Sequence, residues 1–319
     1  MSTRRNFLAG LAAAPLLASQ GAAVFAQDSR RAFTMVVPYP PGGSADIFAR
    51  LFSAALSTQI NERIIVENRP GAGGTLGAAH VAAAPPDGRT LLYTLGNLLL
   101  NQEFLMKDVR FRAMESLVPV ARTCIVQVVI ATHANFPAND LREFIAMARR
   151  SPGKHSFAYY GDLGIPSMAA EAGINLLRVP YKGGAPGLID VASGTTDIIA
   201  SSLTQALPLL RGGRMKLLAV SSDERLAEFP NVPTVKEVVP GYKAIDYQAV
   251  YAPKGTPKAV VDQIWQATAK VLASPEFRRS ASDRGAIVNP MNPEQLHAFM
   301  EQDYANIRAT VRASGIQPE

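Results

Sequence analysis

The stretch that decides the fold is VVPYPPGGSADIFARL, residues 36–51. It completes an apolar, strand-like run over 33–37, passes through a Pro- and Gly-rich turn over 38–43, and continues from Ser44 into a helical pattern over 45–58. A strand that leads through a Gly-Gly turn straight into a helix places the unpaired N–H groups and the positive dipole end of that helix beside the turn. Because such an N-terminus is a seat for anions, the sequence predicts a carboxylate or phosphate site at this connection.

Strand-like and helical patterns alternate along the rest of the chain, which indicates an α/β fold with largely parallel strands. One doubly wound sheet and two sheets joined by crossing strands both satisfy this alternation. The strands are predicted at 33–37, 63–67, 90–94, 118–131, 156–160, 176–179, 197–201, 216–221 and 249–252. The helices are predicted at 45–58, 74–84, 138–150, 184–192, 204–211, 257–273 and 293–313, the last with an apolar face formed by Leu296, Phe299, Met300, Tyr304, Ile307 and Val311.

The N-terminal segment, residues 1–26, is predicted to be a twin-arginine export signal. Ser2 to Leu8 reads STRRNFL, and a mild apolar stretch broken by Gly, Pro and polar residues leads to a plausible cleavage site at Val24-Phe25-Ala26. The stretch is too short and too interrupted for a membrane anchor, and no later run approaches the ~20 apolar residues that span a bilayer. We therefore expect a soluble protein, folded before export and located in the periplasm.

Composition excludes several classes of protein. Loss of residues 1–26 removes two arginines and no acid, which lowers the formal charge from +6 to +4, and the basic residues are scattered. Nucleic-acid binding is therefore not indicated, although a mild positive potential favours anionic ligands. The single cysteine, Cys124, lies in an apolar run and is expected to be a buried hydrophobic residue without a disulfide.

Several blocks of sequence, taken together and in order, resemble the extracytoplasmic solute-binding proteins of the tripartite tricarboxylate transporter class, the Bug family. The blocks are VVPYPPGGSADIFARL, VENRPGAGG, PDGRTLL, VPYKGGAPGLID (179–190), ALPLLRGGRMKLLAVSS (206–222), FPNVPTVKEVVPG (229–241) and YAPKGTP (251–257). They extend over nearly the whole chain after the export signal.

The resemblance implies a two-lobed periplasmic-binding-protein-like fold of type II, with a ligand cleft between the lobes. Lobe 1 would comprise 28–124 with 246–319, and lobe 2 would comprise 125–245, with the chain crossing between them within 118–132 and near Asp246–Tyr251. It implies a monomer that captures a small organic carboxylate by hinge closure and presents it to the permease subunits of the transporter. A sensing role, in which the closed form docks on a sensor kinase, is the alternative.

In the first lobe, the expected ligand-binding residues surround the turn after the first strand. The backbone N–H groups of Gly42, Gly43 and Ser44 would hold the carboxylate, beside Tyr39, and Ser44 would also cap the helix. Asp46 would repel a bound anion, so we expect it to orient the loop or to meet a ligand hydroxyl or water. Asn97, just after the strand at 90–94, is expected at the rim.

In the second lobe, Tyr160, Gly161 and Ser201 are the expected ligand-binding residues. This region departs from the family: two tyrosines occur at 159–160, the interval from Phe157 to Val179 is short, and a truncated helix is expected near 167–172. Tyr160 is hypothesised to stack on a planar ligand, because open α/β sheets place ligands at the carboxyl ends of strands. Ala200-Ser201-Ser202 replaces a segment that often carries an acid, which favours a ligand without a cationic group.

Catalysis is not indicated, and we expect no enzyme, no cofactor and no metal site. The GAGGTLG segment, residues 71–77, has the wrong spacing for a dinucleotide fingerprint because Leu76 occupies the third glycine position. Its glycines are expected to let the chain pass close beneath the first loop. No nucleophile motif or zinc-binding motif is present, and the histidines are far apart in sequence.

Overall fold

The computed structural model describes residues 33–107, 111–242 and 246–314. The predicted export signal lies outside these residues. The strands are β1 (Phe33–Val37), β2 (Ile64–Asn68), β3 (Thr90–Leu95), β4 (Leu117–Val126), β5 (Val128–His133), β6 (Ser156–Tyr159), β7 (Leu177–Pro180), β8 (Ile198–Ser202), β9 (Met215–Val220), β10 (Asp246–Pro253) and β11 (Ala286–Met291).

The helices follow the predicted pattern, with several additions. They are α1 (Ser44–Ile60), α2 (Thr75–Ala82), α3 (Gly96–Leu105), α4 (Ala113–Ser116), α5 (Leu141–Arg150), α6 (Gly164–Ala172), α7 (Gly184–Ser193), α8 (Leu203–Arg211), α9 (Val235–Val238), α10 (Lys258–Ala273), α11 (Pro275–Ser282) and α12 (Pro293–Ser314). A short 3₁₀ turn over Ala72–Gly74 precedes α2. Helices α3, α4, α9 and α11 and strand β11 were not predicted. Helix α6 is short, and it begins three residues before the predicted position.

Two mixed sheets form the two-lobed fold. The larger has the order β11-β4-β10-β3-β1-β2, and the smaller has the order β7-β6-β8-β5-β9. The expectation of largely parallel strands is wrong. Strand β10 runs antiparallel to both β3 and β4, and β5 runs antiparallel to both β8 and β9. The reversal follows from the crossings, because a strand that arrives from the other lobe enters its sheet from the opposite end.

The predicted long strand over 118–131 is two strands, and the chain passes between the sheets at Gln127, where β4 ends and β5 begins. Gln127 donates its backbone N–H to the carbonyl of Gly285. The second crossing was predicted near Asp246–Tyr251, but β10 pairs along its whole length within the larger sheet.

Helices cover both faces of the larger sheet, as strand alternation requires. Met35 and Val37 face a cluster with Phe48 and Phe52 of α1, together with residues of α10 and α11. Val36, between them, faces the opposite cluster, which contains residues of α2, α3 and α12. Full burial of a phenylalanine such as Phe52 stabilises the fold by about 1.5–3 kcal/mol. This packing holds α1 firmly on the sheet and thereby fixes the direction in which the helix leaves the first loop.

The predicted apolar face of α12 is confirmed. Leu296, Met300, Ile307 and Val311 are buried, and Phe299 and Tyr304 pack against the same cluster. Cys124 is fully buried in β4, as expected. Within the part of the chain that the structure describes, no helix combines the length and the apolar character that crossing a membrane requires.

Candidate ligand cleft

Four helices begin at one small cavity between the two sheets. Gly43, Ser44 and Ala45 bring the start of α1 to it, and Leu95 and Leu98 bring the start of α3. The smaller sheet contributes the start of α7, through Gly183, Gly184 and Ala185, and the start of α8, through Ser202 and Gln205. The remaining lining residues are Tyr39, Pro40, Tyr160 and Asp246. Because the first N–H groups of a helix have no partner within it, this cavity collects backbone donors and positive dipole ends from both sheets.

Asp46 holds the first loop in shape, as predicted. Its Oδ2 accepts the backbone N–H of Gly42 at 3.0 Å, and its Oδ1 accepts Asn68 Nδ2 at 2.9 Å and pairs with Arg50 at 2.9 Å. Burial alone would raise the pKa of Asp46, but the bonds from Arg50, Gly42 and Asn68 hold that pKa below its usual range. The carboxylate is therefore ionised and occupied within its own loop.

Ser44 contacts the larger sheet instead of capping α1. The helix is capped by the extended backbone of Gly43, without a side-chain hydrogen bond, so the predicted capping role of Ser44 is wrong. The Ser44 hydroxyl accepts Gln248 Nε2 at 3.0 Å, and both residues are buried. This bond ties the start of α1 to β10, and no local pattern could predict it because the two residues are 204 positions apart.

The GAGGTLG segment passes beneath the first loop, as predicted. A Cβ on Gly74 would lie 3.2 Å from the Tyr39 ring, and a Cβ on Gly77 would lie 2.9 Å from the Cα of Pro38. Tyr39 in turn accepts a hydrogen bond from Thr94 Oγ1 at 3.3 Å. The segment thus supports the ring of Tyr39 at the wall of the cavity.

The second loop, between β6 and α6, is held by contacts with α3. Gly161 has φ +94°, and a Cβ there would lie 2.6 Å from Gln102 Nε2. Asn101 Nδ2 donates to the carbonyl of Gly161 at 3.2 Å. The phenol of Tyr160 donates to the carbonyl of Ala200 at 2.9 Å. These bonds bring the loop of the smaller sheet against a helix of the larger one.

Tyr160 and Pro40 separate the small cavity from a wider one. The small cavity has a volume of about 30 Å³, and the wider one has about 540 Å³. Basic groups occur only on the wider side, where Arg178 and Lys182 are lining residues. The Arg178 guanidinium lies 4.9 Å from the centre of the Tyr159 ring. A ligand of several heavy atoms at the helix N-termini must therefore displace Tyr160 or extend past it.

Two buried acids at the cleft were missed by the sequence analysis. Asp246, the first residue of β10, lines the small cavity and accepts a short hydrogen bond from Asn97 Nδ2. Asp162, in the second loop, accepts the backbone N–H of Gly164 at 2.8 Å. Burial raises the pKa of Asp162 to about 6, and burial together with the charge of Asp162 raises the pKa of Asp246 well above its usual range. Their distance in sequence explains why no motif revealed them.

The structure thus brings together most of the predicted site residues, in different roles. Tyr39, Gly43, Ser44 and Tyr160 line the small cavity, and Gly161 lines the wider one. Asn97 contacts the cavity through Asp246. Ser201 is fully buried in β8, and its neighbour Ser202 lines the cavity in its place. Gly42 and Asp46 shape the loop behind the cavity. Across the described ranges, no group of three or more His, Cys, Asp and Glu side chains is arranged to hold a metal ion.

Comparison with known proteins gives one consistent result. The sequence profile of the tripartite tricarboxylate transporter family receptor matches residues 48–316. A UPF0065 protein from the tcbD-tcbE intergenic region of Pseudomonas sp. (strain P51) is 34% identical over 300 residues, which cover 92% of this chain and 89% of that protein.

Solved structures agree. An R. palustris protein determined with adipate is 28% identical, with a TM-score of 0.86 and coverage of 90% of this chain and 98% of that one. The periplasmic binding protein BugD is 30% identical, with a TM-score of 0.84 and the same coverage. MatC from Rhodopseudomonas palustris with bound malate is 29% identical, with a TM-score of 0.81 and coverage of 88% and 98%. The chain therefore belongs to the tripartite tricarboxylate transporter receptor family, the Bug-type solute-binding proteins.

Proposed function

We propose that this protein captures a small organic carboxylate in the periplasm and presents it to the permease subunits of a tripartite tricarboxylate-type transporter. The observation that carries the proposal is the convergence of the N-termini of α1, α3, α7 and α8 on one cavity. A carboxylate placed there receives hydrogen bonds from backbone donors of both sheets. The adipate and malate in the two R. palustris structures are carboxylates of the expected kind.

The proposed mechanism is hinge closure around the ligand. The lobes would be 28–124 with 246–319 and 125–245, and the connection at Gln127, between β4 and β5, would bend. Binding should stabilise the closed form because the α1 and α7 N-termini come from different sheets and share the ligand charge. The closed surface is then what the permease would read. The protein acts as a monomer and does not catalyse a reaction.

The ligand contacts we propose are those expected from the sequence, with the roles that the geometry supports. Backbone groups of Gly43 and Ser44 would hold the carboxylate directly or through water, and Gly42 would support them, since its N–H is bonded to Asp46. The full set of proposed binding residues is Tyr39, Gly42, Gly43, Ser44, Asp46, Asn97, Tyr160, Gly161 and Ser201, of which Gly42, Asp46 and Ser201 would act from behind the cavity wall. Export by the twin-arginine pathway would deliver the folded protein to the compartment in which it meets its ligand.

A thermal-shift screen of the purified protein tests this function. The panel contains mono-, di-, tri- and aromatic carboxylates, each paired with its uncharged amide. A carboxylate at 100 times its Kd adds ~2.7 kcal/mol to the native state, which raises Tm by several degrees in a protein of this size. The amides should give no shift, since they lack the charge that the helix N-termini favour. Equal shifts for acids and amides, or none for any acid, would contradict carboxylate capture.

A further inference from the structure

Asp246 presents an unused carboxylate oxygen at the small cavity. The residue is 4% exposed and lines the cavity. Its Oδ1 accepts the amide of Asn97, and no hydrogen bond from the described part of the chain reaches its Oδ2. A buried carboxylate normally has all of its oxygens paired, because an unpaired buried charge is costly. Asp246 is therefore an incomplete ion pair.

Among the described residues, no basic side chain acts on Asp246. The charges that act on Asp246 within the described residues are those of Asp162, in the second loop, and Asp303, in α12, and both are acidic. The other titratable groups around this cluster are the phenols of Tyr39, Tyr160 and Tyr242. Asp162 and Asp303 therefore add to burial in raising the pKa of Asp246, and a cation from outside the protein would relieve their repulsion.

Two further oxygens near Asp246 are buried without a partner among the described residues. Asn97 Oδ1 is buried without a partner, and the Nδ2 of the same amide is held against Asp246. The phenol oxygen of Tyr242 is also buried without a partner, and its pKa is raised by burial and by the charges of Asp162 and Asp246. Neither residue lines the cavity, so the N–H donors of an ammonium group placed there would meet the Asp246 carboxylate, which does.

The cavity thus has two ends of opposite polarity. The starts of α1 and α7 favour an anion, and Asp246 favours a cation, although all of them line a space of about 30 Å³. We propose that the ligand is a short zwitterion, an amino acid or similar amino-carboxylate, whose carboxylate meets the α1 and α7 N-termini and whose ammonium group meets Asp246. This inference rests on the proposed capture of a carboxylate, and it reverses the expectation of a ligand without a cationic group that the serines at 201–202 suggested.

Isothermal titration calorimetry with matched probes tests the proposal. The pairs are glycine and acetate, L-aspartate and succinate, and γ-aminobutyrate and butyrate, because the members of each pair differ only in the amino group. In at least one pair, the amino-carboxylate should bind at pH 7 at least tenfold more tightly than the acid without the amino group. A factor of this size is what one buried charge-assisted hydrogen bond contributes. The affinity of this amino-carboxylate should rise with pH as Asp246 loses its proton, whereas the affinity of a carboxylate held by a protonated acid should fall.

The Asp246→Asn variant keeps the shape of the side chain and removes its charge. It should lose at least tenfold in affinity for the amino probes and leave the deaminated probes within threefold. The Tm of Asp246→Asn without ligand should be unchanged or higher than that of the wild type. If Asp246→Asn does not fold, Asp162→Asn serves as the second variant. Tighter binding of the deaminated members, unaffected by Asp246→Asn, would overturn the zwitterion and leave carboxylate capture intact. Failure of every probe would overturn both.

Discussion

The two loops that meet at the small cavity are built in opposite ways. The β1–α1 loop is held by residues of its own sheet: Asp46 bonds to Gly42 four positions earlier, and Asn68 comes from the adjacent strand. The β6–α6 loop is held from across the cleft, because Gly161 packs on Gln102 and accepts Asn101, both in α3. The first loop is thus held entirely from within its own sheet, whereas the second loop adds contacts with α3 to its own bonds from Tyr160 to Ala200 and from Gly164 to Asp162.

This difference separates the contacts that determine ligand affinity and folding stability from those that stabilise the closed form. A change in the β1–α1 loop should cost stability and binding together, since the loop is part of the folded core of the larger sheet. A change in the β6–α6 loop should act mainly on the closed form. The following variants separate the two effects.

The largest effect is expected from Asp46→Ala. The change leaves the N–H of Gly42 and the amide of Asn68 without their acceptor and removes an ion pair, which should cost about 2–3 kcal/mol of unfolding free energy. Urea denaturation measures it. The matched control is Asp262→Ala, which breaks the exposed i,i+4 pair with Lys258 and should cost at most ~0.5 kcal/mol. Equal costs for the two variants would contradict the proposed anchoring role.

Gly161→Ala should weaken ligand binding more than it weakens folding. The left-handed φ of +94° and the approach to Gln102 each oppose a Cβ, so the loop must shift away from α3, at a cost of about 1–2 kcal/mol. The control is Gly173→Ala, at φ +62° with open space around it, which shares the backbone strain without the neighbour. The ligand-induced rise in Tm is measured for both variants. The ratio of the two rises shows how much the contact between Gly161 and Gln102 contributes to closure around the ligand. If that ratio is one, the contact with Gln102 is irrelevant to closure.

The acid in the second loop predicts an unusual pH dependence. Between about pH 4 and pH 6, Asp162 binds more protons in the folded protein than in the unfolded chain, because burial raises its pKa from 3.8 to about 6. The free energy of unfolding should therefore fall as pH rises through this window and then level off. The expected fall is roughly 1–2 kcal/mol, because water that reaches the buried carboxylate reduces the full effect of the pKa shift. Asp303, whose pKa is also raised to about 6 by burial, adds a contribution of the same sign.

Melting curves of wild type, Asp162→Asn and Asp303→Asn between pH 4.5 and pH 7.5 check this prediction. Each variant should flatten the slope without reversing it. A wild-type Tm that rises steadily over this range would show that both acids are ionised when the protein is folded.

The smallest effect is expected from Ser44→Ala. Loss of the hydroxyl removes the acceptor of Gln248 Nε2 and should cost about 1 kcal/mol, while helix α1 keeps its Gly43 cap. The double variant with Gln248→Leu should recover part of that loss, because it replaces both polar partners with apolar atoms. A full additive loss in the double variant would show that the two side chains do not interact.

The sequence was informative wherever structure depends on neighbours along the chain. The β1–turn–α1 unit, the apolar face of α12 and the glycine segment beneath Tyr39 were all predicted, since each follows from local periodicity or turn chemistry. Helix α3 was missed: Gly96 stands at its start, and its residues are buried on nearly every side, so no amphipathic period marks it.

Contacts between distant segments could not be predicted. Asp246 and Asn97 are 149 positions apart, and only the sheet order brings β10 beside β3. Ser44 was assigned the wrong role for the same reason, because its partner Gln248 lies in a strand that returns from the other lobe. The anion-binding half of the cleft is a local feature, whereas the acidic half is created by topology.

The burial of Cys124 gives the protein an internal reporter. Its thiol lies in the core of the larger sheet, and burial raises its pKa to about 12, so at pH 8 roughly one thiol in ten thousand is a reactive thiolate. Strand β4 lies between β11 and β10, so exposure of Cys124 requires the larger sheet to come apart. The rate at which a thiol reagent labels this sulfur atom therefore reports global unfolding. A metabolite that binds the folded protein slows the labelling, and the degree of slowing gives the free energy of binding without any assay of transport.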